Sequence, residues 1–205
     1  MKAEVMNTVC TCIVAFVLSQ GCGEAKQSIG EPDVVETGGA VKAAETVAED
    51  QTTDVLPGWA EEVFLAQSLN QKYSLGAWMQ PNILTGDFDG DKQEDVAFLI
   101  VNRATDEKGL MILYHDKGNN YSVFGAGTEF EDMRNMDWIE IFERVDAGQT
   151  VAPTLVDEET GDILGEDLEN AVLLKSDAIF VHLAEACGGG IIYKKENGYG
   201  WINIE

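Results

Sequence analysis

Asp87, Asp89, Asp91 and Asp95 stand at positions 1, 3, 5 and 9 of the stretch Asp87-Phe88-Asp89-Gly90-Asp91-Lys92-Gln93-Glu94-Asp95. Carboxylates spaced this closely, helped by a backbone carbonyl, supply the hard oxygen ligands that calcium takes in sets of about six to eight. In that chemistry Asp87, Asp89 and Asp91 turn inward from alternate positions, Gln93 offers its carbonyl and Asp95 closes the ring. Four like charges within one loop repel, so a bound dication relieves an electrostatic cost. The competing reading is a solvated turn, because Asp bonds its own backbone and Gly accepts positive φ. The spacing, rather than the abundance of Asp, points to the metal.

An EF-hand does not fit. That loop needs Gly at its sixth position and Glu at its twelfth, where this chain has Lys92 and Phe98. A strand-like run, Val96-Ala97-Phe98-Leu99-Ile100-Val101, follows where a helix would be required.

The stretch GDFDGDKQEDVAFLIV, residues 86–101, resembles one copy of the FG-GAP (VCBS-type) repeat, a strand, a DxDGDGxxD-like loop and a second strand. The resemblance implies calcium held by Asp87, Asp89, Asp91, the Gln93 carbonyl and Asp95. The usual Gly of the sixth loop position is Lys92, which must then take a backbone conformation that Gly adopts more cheaply. No second copy appears in the sequence, so a many-bladed propeller is not expected. More loosely, residues 59–205 are similar to small secreted bacterial proteins with one such loop and a Gly/Trp-rich C-terminal hairpin.

Other chemistry is thin. His115 and His182 are the only histidines, too few for a closed zinc site of the Cys/His kind. His182 and Cys187 are separated by an odd number of residues, which puts them on opposite faces of a continuing strand. Cys187 reads as a small packed residue beside Gly188-Gly189-Gly190. That glycine run either makes a bulge or admits a ligand close to the backbone; the second option is the basis of an alternative reading as a secreted hydrolase, or an inhibitor of one. Acid pairs such as Glu140 and Glu143 could serve a glycosidase only at a separation that the sequence does not reveal.

The elements that position the loop occupy about two thirds of the chain. Lys2 precedes the apolar run of residues 9–18, too short for a membrane span and of signal-peptide length. The segment Leu18-Ser19-Gln20-Gly21-Cys22 resembles a bacterial lipobox with Cys22 as the lipidated residue, although Leu18 lies four residues before the cysteine rather than three. Cleavage by an ordinary signal peptidase is the other option. Without lipid on Cys22, a Cys22–Cys187 disulfide becomes conceivable in an oxidising compartment. Residues 1–22 are thus expected as a signal peptide and residues 23–57 as an acidic linker. The linker has no aromatic residue and far more acids than its two cations, Lys26 and Lys42, and such a composition does not offset ordering entropy. Residues 58–205 make the domain.

Within the domain, Trp59–Asn70 reads as a helix with Trp59, Val63, Ala66 and Leu69 on one stripe. Strands are expected at 110–115, 121–124, 137–145, 171–174, 178–183, 190–193 and 199–204. Residues 154–156 are expected to pair with 162–164, and Asn197-Gly198 marks a hairpin. Short turns between successive strands favour antiparallel pairing. The expected fold is α+β: a mainly antiparallel sheet, one N-terminal helix and a single FG-GAP-like strand-loop-strand unit. With 13 basic against 37 acidic residues and a net charge of −24, nucleic acid and anionic membrane surfaces are poor partners. The expected function is a non-enzymatic calcium-binding domain, lipid-anchored in the bacterial envelope or secreted, offered to a protein or glycan partner.

Overall fold

The computed structural model describes residues 55–115, 120–185 and 188–204. The expectations for the signal segment, Cys22, most of the linker and Cys187 lie outside the described residues. The described chain is mostly antiparallel β-sheet with few helices, in keeping with the α+β class.

Helix α1 (Gly58–Ala66) and the single turn α2 (Leu69–Lys72) precede a five-stranded sheet made of β1 (Tyr73–Leu75), β2 (Ile83–Gly86), β3 (Asp95–Asn102), β4 (Lys108–Leu113) and β5 (Tyr121–Gly125). Its order is β1-β3-β4-β5. Strand β2 shares the β1 edge of β3: β1 pairs with residues 100–102 and β2 with residues 95–98. A second sheet, in the order β13-β12-β11-β6, joins β6 (Ile141–Val145), β11 (Ala178–His182), β12 (Gly189–Lys194) and β13 (Tyr199–Ile204). Two ribbons complete the fold. Strands β7 (Thr150–Val151) and β10 (Val172–Leu173) form one, β8 (Thr154–Val156) and β9 (Ile163–Glu166) the other.

The layers follow from side-chain alternation, which sends successive strand residues to opposite faces. Val96, Phe98 and Ile100 of β3 pack with Met111, Leu113, Ala60 and Phe64, so one face of the first sheet carries α1. Ala97 and Leu99 pack with Leu110, Ile112, Phe142, Ile179, Val181 and Ile192, so the other face carries the second sheet. Strand β3 is covered on both sides, and this explains its unbroken apolar run. On the far side of the second sheet, Ala178, Ile191 and Ile202 pack with Leu174 and with Val151 and Val172 of the β7/β10 ribbon.

Three expectations need correction. The helix does not run to Asn70: it breaks after Ala66, and Ser68 takes the left-handed φ of 59°. Its buried stripe is Ala60 and Phe64, one four-residue step apart, with Trp59 and Val63 half-buried and Ala66 exposed. Of residues 137–145 only Ile141–Val145 forms a strand, because Trp138 and Ile139 pack into the core from a turn. The Trp78 indole donates to the Ile139 carbonyl at 3.1 Å. Residues 154–156 pair as expected with the segment after the turn, at 163–166 rather than 162–164, and the C-terminal hairpin forms, closing at Lys194↔Tyr199.

Candidate metal centre

Strands β2 and β3 pair down to Gly86↔Asp95, and the aspartate loop is the connection between them. The loop folds on its own carboxylates. The Asp87 oxygens accept from the Gly90 amide at 2.7 Å and the Lys92 amide at 3.0 Å. Asp89 accepts from the Asp91 amide at 3.2 Å, and Asp91 from the Gln93 amide at 2.9 Å. The Asp89 and Asp91 bonds are Asx-type turns, in which a short carboxylate bonds the backbone two residues ahead, and Asp87 reaches further, three and five residues on. The winding takes Gly90 to φ 85° and Lys92 to φ 71°, so the sixth position has the left-handed backbone expected of it.

Oxygen atoms of Asp87, Asp89 and Asp95 all lie within 4.8 Å of one another, and this group can hold a metal ion. Asp91 falls outside the group, its carboxylate engaged with Gln93. Only carboxylates compose the group. The nearby His115 contributes its backbone amide to Asp95, while its ring lies against Trp59 with centroids 4.6 Å apart. All-oxygen donor sets suit hard cations, not zinc or copper.

Asp95 is fully buried. Its two oxygens accept from the Phe88 and His115 amides, each at 3.0 Å. Burial pushes its carboxyl up to about 6, against the lowering effect of those two amides, and the charges of Asp89 and Asp91 add to the rise. The loss of hydration outweighs the hydrogen bonds. A cation beside Asp95 would favour its charged form.

The second sheet grips the loop. The Asp87 amide donates to Asp177 Oδ2 at 3.0 Å, and the Asp177 amide donates to the Asp87 carbonyl at 2.9 Å. Asp177 Oδ1 also accepts from the Ala147 amide at 2.9 Å. Arg144 donates to the Thr85 carbonyl at 2.9 Å. Gly86 permits this approach, since a Cβ there would come within 2.7 Å of Asp177 Oδ2 and 2.8 Å of Arg144 Cδ. The Phe88 carbonyl accepts from the Tyr199 hydroxyl at 3.0 Å, which in turn accepts from Tyr114 at 3.0 Å. Burial raises both phenols above their ordinary range, so each stays a donor.

Asp177, Tyr114 and Tyr199 were not distinguishable as loop partners in the sequence. Asp177 reads there as ordinary turn chemistry, and its partner lies 90 residues away. The glycine run has a packing role: a Cβ on Gly189 would strike His182 and the Val181 carbonyl, and one on Gly190 the Ile202 carbonyl and the Trp201 ring. No protein-family model, curated protein or solved structure matches the chain.

Proposed function

We propose that the chain is a calcium-dependent binding module without catalytic activity, built around a single FG-GAP-like loop and carried outside the cytoplasm on a lipidated Cys22. The convergence of Asp87, Asp89 and Asp95 oxygens within 4.8 Å carries this reading. Calcium is the cation that the oxygen-only donors fit, since it tolerates the irregular geometry of a flexible loop better than magnesium does. Asp91 and the Gln93 carbonyl complete the sphere when the loop closes on the ion.

The ion's role is structural first. The loop is tied to β3 through Asp95 and to the second sheet through Asp177 and Tyr199, so an ion there stiffens the junction between the sheets. The lipid anchor and the protein or glycan partner follow from the sequence reading. Among the described residues no helix is long and apolar enough to cross a membrane. The alternative hydrolase reading is the weaker one, because close packing already accounts for Gly189 and Gly190.

Thermal melting in EDTA and in millimolar calcium tests the proposal. Calcium at about 100 times its Kd raises stability by roughly 2.7 kcal/mol, and Asp89→Ala abolishes the shift. An unchanged melting temperature in both solutions refutes the cation site.

A further inference from the structure

Beside the aspartate loop lies a groove of about 490 Å³. Asp89 and Gly90 of the loop line it, together with Leu173, Lys175 and, at the end of β12, Tyr193, Lys194 and Lys195. Val172 and Glu196 also line it. Three lysines, beside the acids Asp89 and Glu196, line this concavity on a chain of net charge −24. The ion pairs among the described residues are Arg134–Glu107, Arg144–Asp146 and Arg144–Asp177, and none uses a groove lysine. Lys194 Nζ lies 5.2 Å from the Tyr199 ring centre and Lys195 Nζ 5.8 Å from that of Tyr193. Lys194 Nζ also donates to the Gly198 carbonyl at 3.4 Å, whereas the ring contact of Lys195 leaves its positive charge available to an anion.

We propose that this groove binds a small acidic sugar, its carboxylate received by Lys175 and Lys195 and its C–H face by Leu173. Leu173 is 58% exposed, and an exposed apolar surface next to cations suits a ligand with both an apolar face and a charge. Inorganic phosphate has no such face. Phosphate sites are built from convergent backbone amides at a helix N-terminus or a nest, whereas this groove presents side-chain ammoniums. Its volume is in the range of small-molecule sites.

Asp89 adds a condition. Its carboxylate belongs to the candidate cation group and also lines the groove. Without a cation it repels an anionic ligand; with calcium in the loop the same side of the groove becomes attractive, and sugar hydroxyls can complete the ion's sphere. This calcium dependence rests on the reading of the loop as a cation site.

Titration calorimetry on the full chain tests the proposal with galacturonate, galactose and methyl phosphate, each in calcium and in EDTA. Galacturonate should bind in calcium with a Kd on the order of 1 mM. EDTA, omission of the carboxylate (galactose), or the exposed pair Lys175→Ala with Lys195→Ala should each weaken binding about tenfold or more. The lysine variant should keep the calcium-dependent melting shift. A chain that shows the melting shift and does not bind galacturonate overturns the groove assignment and leaves the cation site standing. A chain that binds galacturonate through the lysines, with no melting shift, overturns the cation site and its bridging role. Equal binding of methyl phosphate and galacturonate overturns the assignment to sugars.

Discussion

Asp87 and Asp177, 90 positions apart, exchange two hydrogen bonds: the Asp87 amide to the Asp177 carboxylate at 3.0 Å, and the Asp177 amide to the Asp87 carbonyl at 2.9 Å. The first residue of the aspartate loop is thereby fixed to the turn that opens β11. An ion bound at the loop would be coupled to the seating of the second sheet through this pair.

Asp177→Ala removes the acceptor of both the Asp87 and the Ala147 amides. Amides left without partners at a partly buried site should cost about 2 kcal/mol. Urea unfolding in EDTA should show this loss, and calcium affinity should fall with it because the loop is no longer held at its first ligand. Unchanged calcium affinity in a destabilised variant would separate the seating of the sheets from the cation site.

The pH dependence follows from Asp95. Its folded pKa of about 6 lies above the unfolded value of 3.8, so the folded chain holds this proton more tightly than the unfolded one. The stability that this proton contributes is complete below about pH 4 and is lost as pH rises through about 6, on the order of 3 kcal/mol in metal-free protein. Calcium competes with the same proton, so its affinity should rise across that window and level off above it. Calcium-dependent melting shifts should be small at about pH 4.5 and full at about pH 7.5. A shift independent of pH would remove Asp95 from the ligand set.

Lys92 holds a left-handed backbone at φ 71°, which costs a residue with a side chain roughly 1 kcal/mol relative to glycine. Lys92→Gly should therefore stabilise the folded chain by about that amount. It should also leave the calcium response intact or improve it, as melting in both solutions will show.

Gly190→Ala places a methyl group against the Ile202 carbonyl and the Trp201 ring. A backbone carbonyl in a paired strand has little room to yield, so the variant should lose about 2 kcal/mol in urea unfolding while keeping its calcium-dependent shift.

Local patterns exposed much of this architecture to a reader of the sequence. The run Val96–Val101, following a loop rich in Asp and Gly, pointed to a strand, and Asn197-Gly198 pointed to the final hairpin. Alternation shows which residues share a face; it does not tell which sheet a strand joins. The division of the strands into two stacked sheets is a long-range outcome, with Ile179 and Val181 of β11 facing Ala97 and Leu99 of β3 across the same core. Ser68 offered no signal for its left-handed turn, at φ 59°, just before the buried Leu69. Within the site, Asp87, Asp89 and Asp95 were legible from their spacing, whereas Asp91, read with them, lies outside the group. The partners that hold them, Asp177, Tyr199 and the His115 amide, come from strands or turns whose proximity only the tertiary fold creates.

Both oxygens of Asp95 are engaged with amides, one from its own loop and one from His115, two residues beyond β4. This loop is consequently not a portable motif. Residues 83–98 excised as a peptide, or spliced into a foreign hairpin, would carry every aspartate but lack His115, Asp177 and Tyr199, and would begin as an electrostatically strained turn rather than a formed cradle. What the domain contributes to its loop is preorganisation, supplied from three separate parts of the chain.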